Sequence, residues 1–236
     1  VWPNHFRTAV GLKALNGNDL IEKAASAHAS YLAMAKGACD VGAHNEKAGC
    51  PGFTGADPGA RITAAGYRSS TWGEVVFSSG ASGETAVAWW VFSVYHRLPF
   101  VDYRLLEMGA GHESAFVVDF GTASDESGKK PSEPVVFPPP GAIGIPPVFD
   151  GNSEGPRPPP PPTTGKWPAG VPISIHFNGD SYTLTEHHLY ASGLGTCTEV
   201  PHAFFDGTSD PNLGNFSPSS AFFYADLPMQ GGTEYV

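Results

Sequence analysis

The sequence predicts an α+β fold: a helix/sheet/helix module with an antiparallel sheet, followed by a small C-terminal β-sandwich. Three observations predict it. Helical periodicity runs through residues 4–36 and returns at 84–96, and strand-like stretches occupy 72–77 and 109–121. Beyond a proline-rich stretch, short alternating segments recur roughly every ten residues between Gly, Asn, Asp and Pro.

Residues 4–14 read as a short helix and turn, with Phe6, Val10 and Leu12 as core contacts. Asn18 is placed to N-cap a helix over 19–36, where Leu20, Ile21, Ala24, Ala25, His28, Tyr31 and Leu32 share one face and Gly37 stops it. His28 on that apolar face reads as a satisfied core histidine. Residues 39–59 carry glycines and prolines without periodicity and read as loop, and 61–65 as one helical turn. A β-branched and aromatic strand follows at 72–77. Ser82 then caps a helix over 84–96, which Pro99 ends, and 109–121 reads as one buried strand. Trp89 and Trp90 are core candidates.

Fifteen of the 23 prolines fall between Pro131 and Pro172, so the chain divides into domains at 1–123 and 166–236 with a stiff linker over 124–165 that holds them apart. In the second domain, strands are expected at 171–177, 182–184, 186–190, 203–205 and 220–224. His187 and His188, adjacent in one strand, would point to opposite faces. The final residues, 231–236, would begin one more strand, and the chain stops there with that module's last edge open.

The net charge is −10, and from Lys166 onward one Lys stands against seven acids. That pattern excludes a nucleic-acid or anionic-membrane footprint, which requires clustered Lys and Arg. No run of about 18 apolar residues exists, so no membrane span is expected. Cys39 and Cys50 bracket a glycine-rich polar loop. A disulfide there would contribute about 2 to 3 kcal/mol and imply an oxidising compartment, with two free thiols as the alternative. Cys197 is left over, a buried thiol or a bond to something outside the chain.

The segments NHFRTAVGL, AASAHASYL, GFTGADPGARITAAGY, WGEVV and WWVFSVYHRLPFVDYRLLEMGAG, followed by VVDFG, resemble in order and spacing the CAP (cysteine-rich secretory, antigen 5 and pathogenesis-related; SCP-like) domain of bacterial secreted proteins. The likeness covers about half the chain. Its most specific piece is the stretch closing at His96, with Trp90 six residues before it, Arg97 after it and the pair Gly73-Glu74 upstream. The resemblance implies an α/β/α CAP sandwich and a cleft lined by two His and two acids. By position these are His44, Glu74 and His96, with Asp57 as the fourth member and Glu46 competing for that place. Val75 stands where the family motif has Asn. The proline-rich stretch and β-rich tail resemble the segment that follows many such domains, with an immunoglobulin-like (Ig-like) unit after it.

His44 and His96 could bind Zn or another divalent cation, with water completing the shell. The alternative is a hydrogen-bonded polar cluster that fixes the cleft loops. The leading functional expectation is a secreted or cell-surface binding protein whose partner is an unknown small ligand, lipid or surface protein. One rival is a metal-assisted peptidase or esterase with Glu74 as general base, although no HExxH helix or Gly-x-Ser-x-Gly elbow is present. Another is a structural surface component that self-assembles through its β module.

Overall fold

The computed structural model describes residues 2–78, 81–122, 128–193 and 196–236. The chain forms two compact units, Val1–Trp89 with Asp102–Lys130, and Trp90–Val101 with Pro131–Val236. The expected domain border at 123/124 lies outside the described residues.

In the first unit, α1 (Trp2–Ala9) is tied down by polar side chains. Asn4 both donates to and accepts from the backbone of Leu15, at 3.0 and 2.7 Å. Arg7 is buried and donates to the carbonyls of Lys13, Asp102 and Leu105 at 2.9 to 3.0 Å. Burial lowers its guanidinium to about 10 despite the charge of Asp102. After the short strand β1 (Asn16–Gly17), α2 (Asp19–Met34) begins where the sequence places it, with the Asn18 side chain accepting from the amides of Leu20 and Ile21. There follow α3 (Pro58–Ala64), β2 (Trp72–Phe77) and α4 (Gly83–Val91).

Residues 109–121 do not form the expected single strand. They fold as a hairpin of β3 (Glu107–His112) and β4 (Phe116–Gly121). The polar residues between the strands turn the chain, with the Glu113 amide donating to the Ala115 carbonyl at 3.1 Å. The sheet runs β1-β3-β4-β2, antiparallel throughout except where β1 lies parallel to β3.

Helix α2 lies directly on this sheet because Gly109 and Gly111 leave room for it. A Cβ on Gly109 would stand 2.0 Å from the Glu22 amide nitrogen, and one on Gly111 would stand 2.4 Å from backbone atoms of Ala25. Small residues let the two backbones meet, and Ala25, Ala29, Val76, Ala115 and Val117 close the core around the contact.

The second unit opens with residues expected to finish a helix. The helix stops at Val91 instead of His96, because the Glu154 carboxylate accepts the backbone amides of Val94, Tyr95 and His96 at 2.9, 2.6 and 3.1 Å. One turn resumes as α5 (Leu98–Val101). The strands are β5 (Val135–Phe137), β6 (Ile173–His176), β7 (Tyr190–Gly193), β8 (Thr196–Glu199), β9 (His202–Asp206), β10 (Ser220–Ala225) and β11 (Glu234–Tyr235), with α6 (Pro211–Phe216) between β9 and β10. They form two sheets, β5-β6-β10-β9 and β11-β7-β8. The strands expected at 182–184 and 186–190 are absent, apart from Tyr190, which starts β7.

The core of the larger sheet is closed by Val94, Tyr95, Phe149, Ala169 and Leu213 over Ala203, Phe205, Phe222 and Tyr224. Those covering residues come from loops, the 90–101 segment and α6, which is a different construction from two sheets packed face to face. Arg97 lies fully buried 4.6 Å from the Phe137 ring, donating to Val91, Pro172 and the Ser174 hydroxyl. Burial lowers it to about 9, with Glu154 pulling the other way.

The proline-rich stretch read as a linker over 124–165 is, in its described part, built into this unit. Its residues supply β5 against β6, the Phe149 bridge to Ala169, the buried Glu154 and a carbonyl at Pro159 that accepts from Tyr224. Proline lacks a donor but keeps its carbonyl and ring, so Phe137 and Phe149 can anchor such a segment by burial.

Candidate functional site: a buried charge cluster behind His44

Two strands, two helices and a loop of the first unit converge on one polar cluster. The register pairs Glu74 on β2 with Asp119 on β4, so both carboxyls lie on the same face of the sheet. Helix α2 contributes His28, and α3 contributes Arg61. The loop between α2 and α3 contributes His44 and Glu46, and is stapled by the Cys39–Cys50 disulfide with Cα atoms 5.9 Å apart.

The contacts are specific. His44 Nδ1 and Glu74 Oε1 are 2.8 Å apart, and the other Glu74 oxygen accepts from Arg61. Arg61 also donates to the His44 carbonyl at 3.1 Å. Glu46 accepts from the Thr54 amide at 2.6 Å, from the Thr54 hydroxyl and from the Gly55 amide, and it meets His28 Nδ1 at 2.9 Å. The second His28 nitrogen faces the Ala43 carbonyl at 2.8 Å. Both His28 nitrogens are thus engaged, one by a carboxyl and one by a backbone carbonyl.

Arg61 thus lies between Glu46 and Glu74, with its Nε 3.8 Å from Glu46 and its terminal nitrogen on Glu74. For Glu74, burial alone would raise the carboxyl, but the His44 hydrogen bond and the charges of Arg61 and His28 outweigh it and hold the group below the usual carboxylate range. Asp119 goes the other way. Burial first, and then the adjacent Glu74 through its charge and a side-chain hydrogen bond, push it well above that range. One carboxyl of the pair is the anion and the other favours the acid.

His44 stands at the lip, its side chain 42% exposed while that of Glu74 is 1% exposed. With Nδ1 held by Glu74, the ring offers Nε2 to solvent. Asp57 is not drawn into the cluster. It N-caps α3, accepting from the Ala60 amide at 2.8 Å, and borders a shallow hollow lined also by Ile62, Thr63, Ser69 and Trp72. Glu46, the alternative to Asp57, is the acid bonded to His28. His96 belongs to the second unit, where its Nδ1 lies 3.0 Å from Glu154.

A resident metal does not fit the first unit's residues. Both Glu74 oxygens are engaged, leaving one His44 nitrogen. Among the described residues, no group of three His, Cys, Asp or Glu could hold an ion. Arg61, Asp119 and Glu154 were not among the residues singled out from the sequence. Asp119 carried a signal, an acid inside the apolar run FVVDFG, whereas Glu154 sits among Gly, Ser and Pro with none.

No family model matches the chain, and no curated protein matches it. Among solved structures, the chain is similar to an extracellular protein containing an SCP domain from Bacillus anthracis str. Ames, at 18% identity and a TM-score of 0.44. That match covers 51% of this chain and 38% of the other. No helix of the described residues is long and apolar enough to cross a membrane.

Proposed function

We propose that the chain is a secreted or cell-surface binding protein with a CAP-type module, in which His44 presents one imidazole nitrogen to a ligand from a cleft wall set by Glu74. The sequence segments that resemble the CAP domain motivate the family. The carrying observation for binding over hydrolysis is the state of Glu74. Its two oxygens are occupied by His44 and Arg61, it is buried, and its affinity for a proton is reduced, the reverse of what a general base needs. Among the described residues, no hydroxyl or thiol is hydrogen-bonded to His44 that could act as its nucleophile.

Incubation with peptide and ester libraries, with and without chelator, tests this reading. No turnover is expected. Chelator-sensitive turnover that disappears in Glu74→Gln would replace it with the metal-assisted hydrolase. Secretion is tested by whether the exported protein carries the Cys39–Cys50 bond by mass spectrometry, as the oxidising route requires.

A further inference from the structure

Outside the cluster, the second unit brings two imidazoles edge to edge on its surface. His202 opens β9 and shares the outer face of that strand with Phe204, opposite to the buried Ala203 and Phe205. His187, from the stretch before β7, lies over this face, its ring stacked 4.5 Å from Phe204. His187 Nδ1 and His202 Nε2 are 2.8 Å apart.

The tautomers follow from the partners. His202 Nδ1 is 2.8 Å from the Val200 carbonyl, which can only accept, so in the neutral ring Nδ1 carries the proton and Nε2 the lone pair. His187 Nδ1–H therefore donates to His202 Nε2. A ligating imidazole is normally oriented in this way, by a ring nitrogen that donates to a backbone carbonyl, and it leaves His202 Nε2 facing His187. Two imidazole nitrogens on a tetrahedral ion at 2.0 to 2.1 Å stand about 3.3 Å apart, so the pair needs to open by only about 0.5 Å.

We infer that His187 and His202 form a surface two-imidazole site for a borderline divalent cation such as Zn(II) or Cu(II), with water in the remaining positions. On binding, the proton at His187 Nδ1 leaves and one is taken up at its Nε2, so the ring stays neutral and the exchange balances. His188 is engaged elsewhere, 2.8 Å from Glu199, and leaves the pair to act alone.

Zn(II) titration of the untagged full chain by calorimetry tests the site, beside His187→Ala, His202→Gln and His44→Ala. His187 is exposed, so its replacement leaves the fold intact, which far-ultraviolet circular dichroism verifies. The expected result is one weak site, at least tenfold weaker in His187→Ala and in His202→Gln and unchanged in His44→Ala. Cu(II) should bind more tightly and show two-nitrogen coupling by electron paramagnetic resonance in the native chain only. Affinity that survives His187→Ala overturns the site. Affinity lost in His44→Ala alone would move the cation to the cluster of the first unit, a result separate from the absence of turnover tested above.

Discussion

Glu74 on β2 and Asp119 on β4 are register partners across the sheet, yet their buried carboxyls are driven in opposite directions, one toward the anion and one toward the acid. The difference is made by partners. Glu74 has His44 and Arg61, while Asp119 has Glu74 itself, whose charge and hydrogen bond favour the acid form.

The raised Asp119 gives stability a definite pH dependence. Below the ordinary carboxylate pKa of about 3.9, the group is protonated in both folded and unfolded chains and its contribution is fully present. Above it the unfolded chain releases the proton and the folded chain keeps it, so the contribution is lost as pH rises toward the raised folded value. Asp119→Asn keeps the shape and removes the titration. Urea unfolding from pH 4 to 7 should show the variant gaining on the native chain by up to about 1.4 kcal/mol per pH unit. Parallel curves would mean that Asp119 is ionised in the fold.

Arg61 is the fully buried cation between Glu46 and Glu74, with its side chain 0% exposed. Arg61→Met fills similar space but leaves the buried carboxyls of Glu46 and Glu74 without its charge. The expected loss is about 3 to 5 kcal/mol by urea unfolding. Arg61→Met combined with Glu74→Gln should recover a substantial part of that loss, because removal of both charges avoids the unpaired one.

Gly109 tests how closely helix and sheet meet. Gly109→Ala would force α2 away from β3, since the atoms in the way are backbone and have no rotamer to change. A loss of about 3 kcal/mol is expected, at the upper end of overpacking costs. Gly17→Ala is the control: nothing lies within 4 Å of a Cβ there, and a change within about 0.5 kcal/mol is expected.

Much of the first unit was legible because its signals are local. The Asn18 cap, the apolar face of α2 and the strand at Trp72–Phe77 all follow from neighbours within one or two turns of chain. The His44–Glu74 pairing was reachable only through resemblance, since residues 30 positions apart have no shared periodicity. The second unit was less legible because its decisive contacts are long-range and made by a segment rich in proline. Glu154 ends a helix 58 to 60 residues earlier by taking its amides, and nothing near Val91 announces that stop. The hairpin between β3 and β4 was missed because its turn, Glu113, Ser114 and Ala115, contains no Gly, Pro, Asn or Asp to mark it.

Glu154 is therefore the residue whose change should be felt most widely in the second unit. Its oxygens accept three successive amides and the His96 ring, and the carboxylate is buried at 3% exposure. Glu154→Gln keeps one accepting oxygen and puts an amide donor where Val94, Tyr95 and His96 also offer donors, so at least one buried N–H is left unpaired and a buried anion near Arg97 is lost. Each unsatisfied group costs about 1 to 3 kcal/mol, and the sum is expected to reach about 3 kcal/mol. Glu154→Asp separates charge from reach: it keeps the anion but shortens the arm by one methylene, and should recover only part of the loss. Hydrogen exchange at the amides of residues 94–96 is the direct measurement. These amides should be among the protected ones in the native chain and should exchange faster in both variants, most in Glu154→Gln. Unchanged exchange there would show that another group holds the turn.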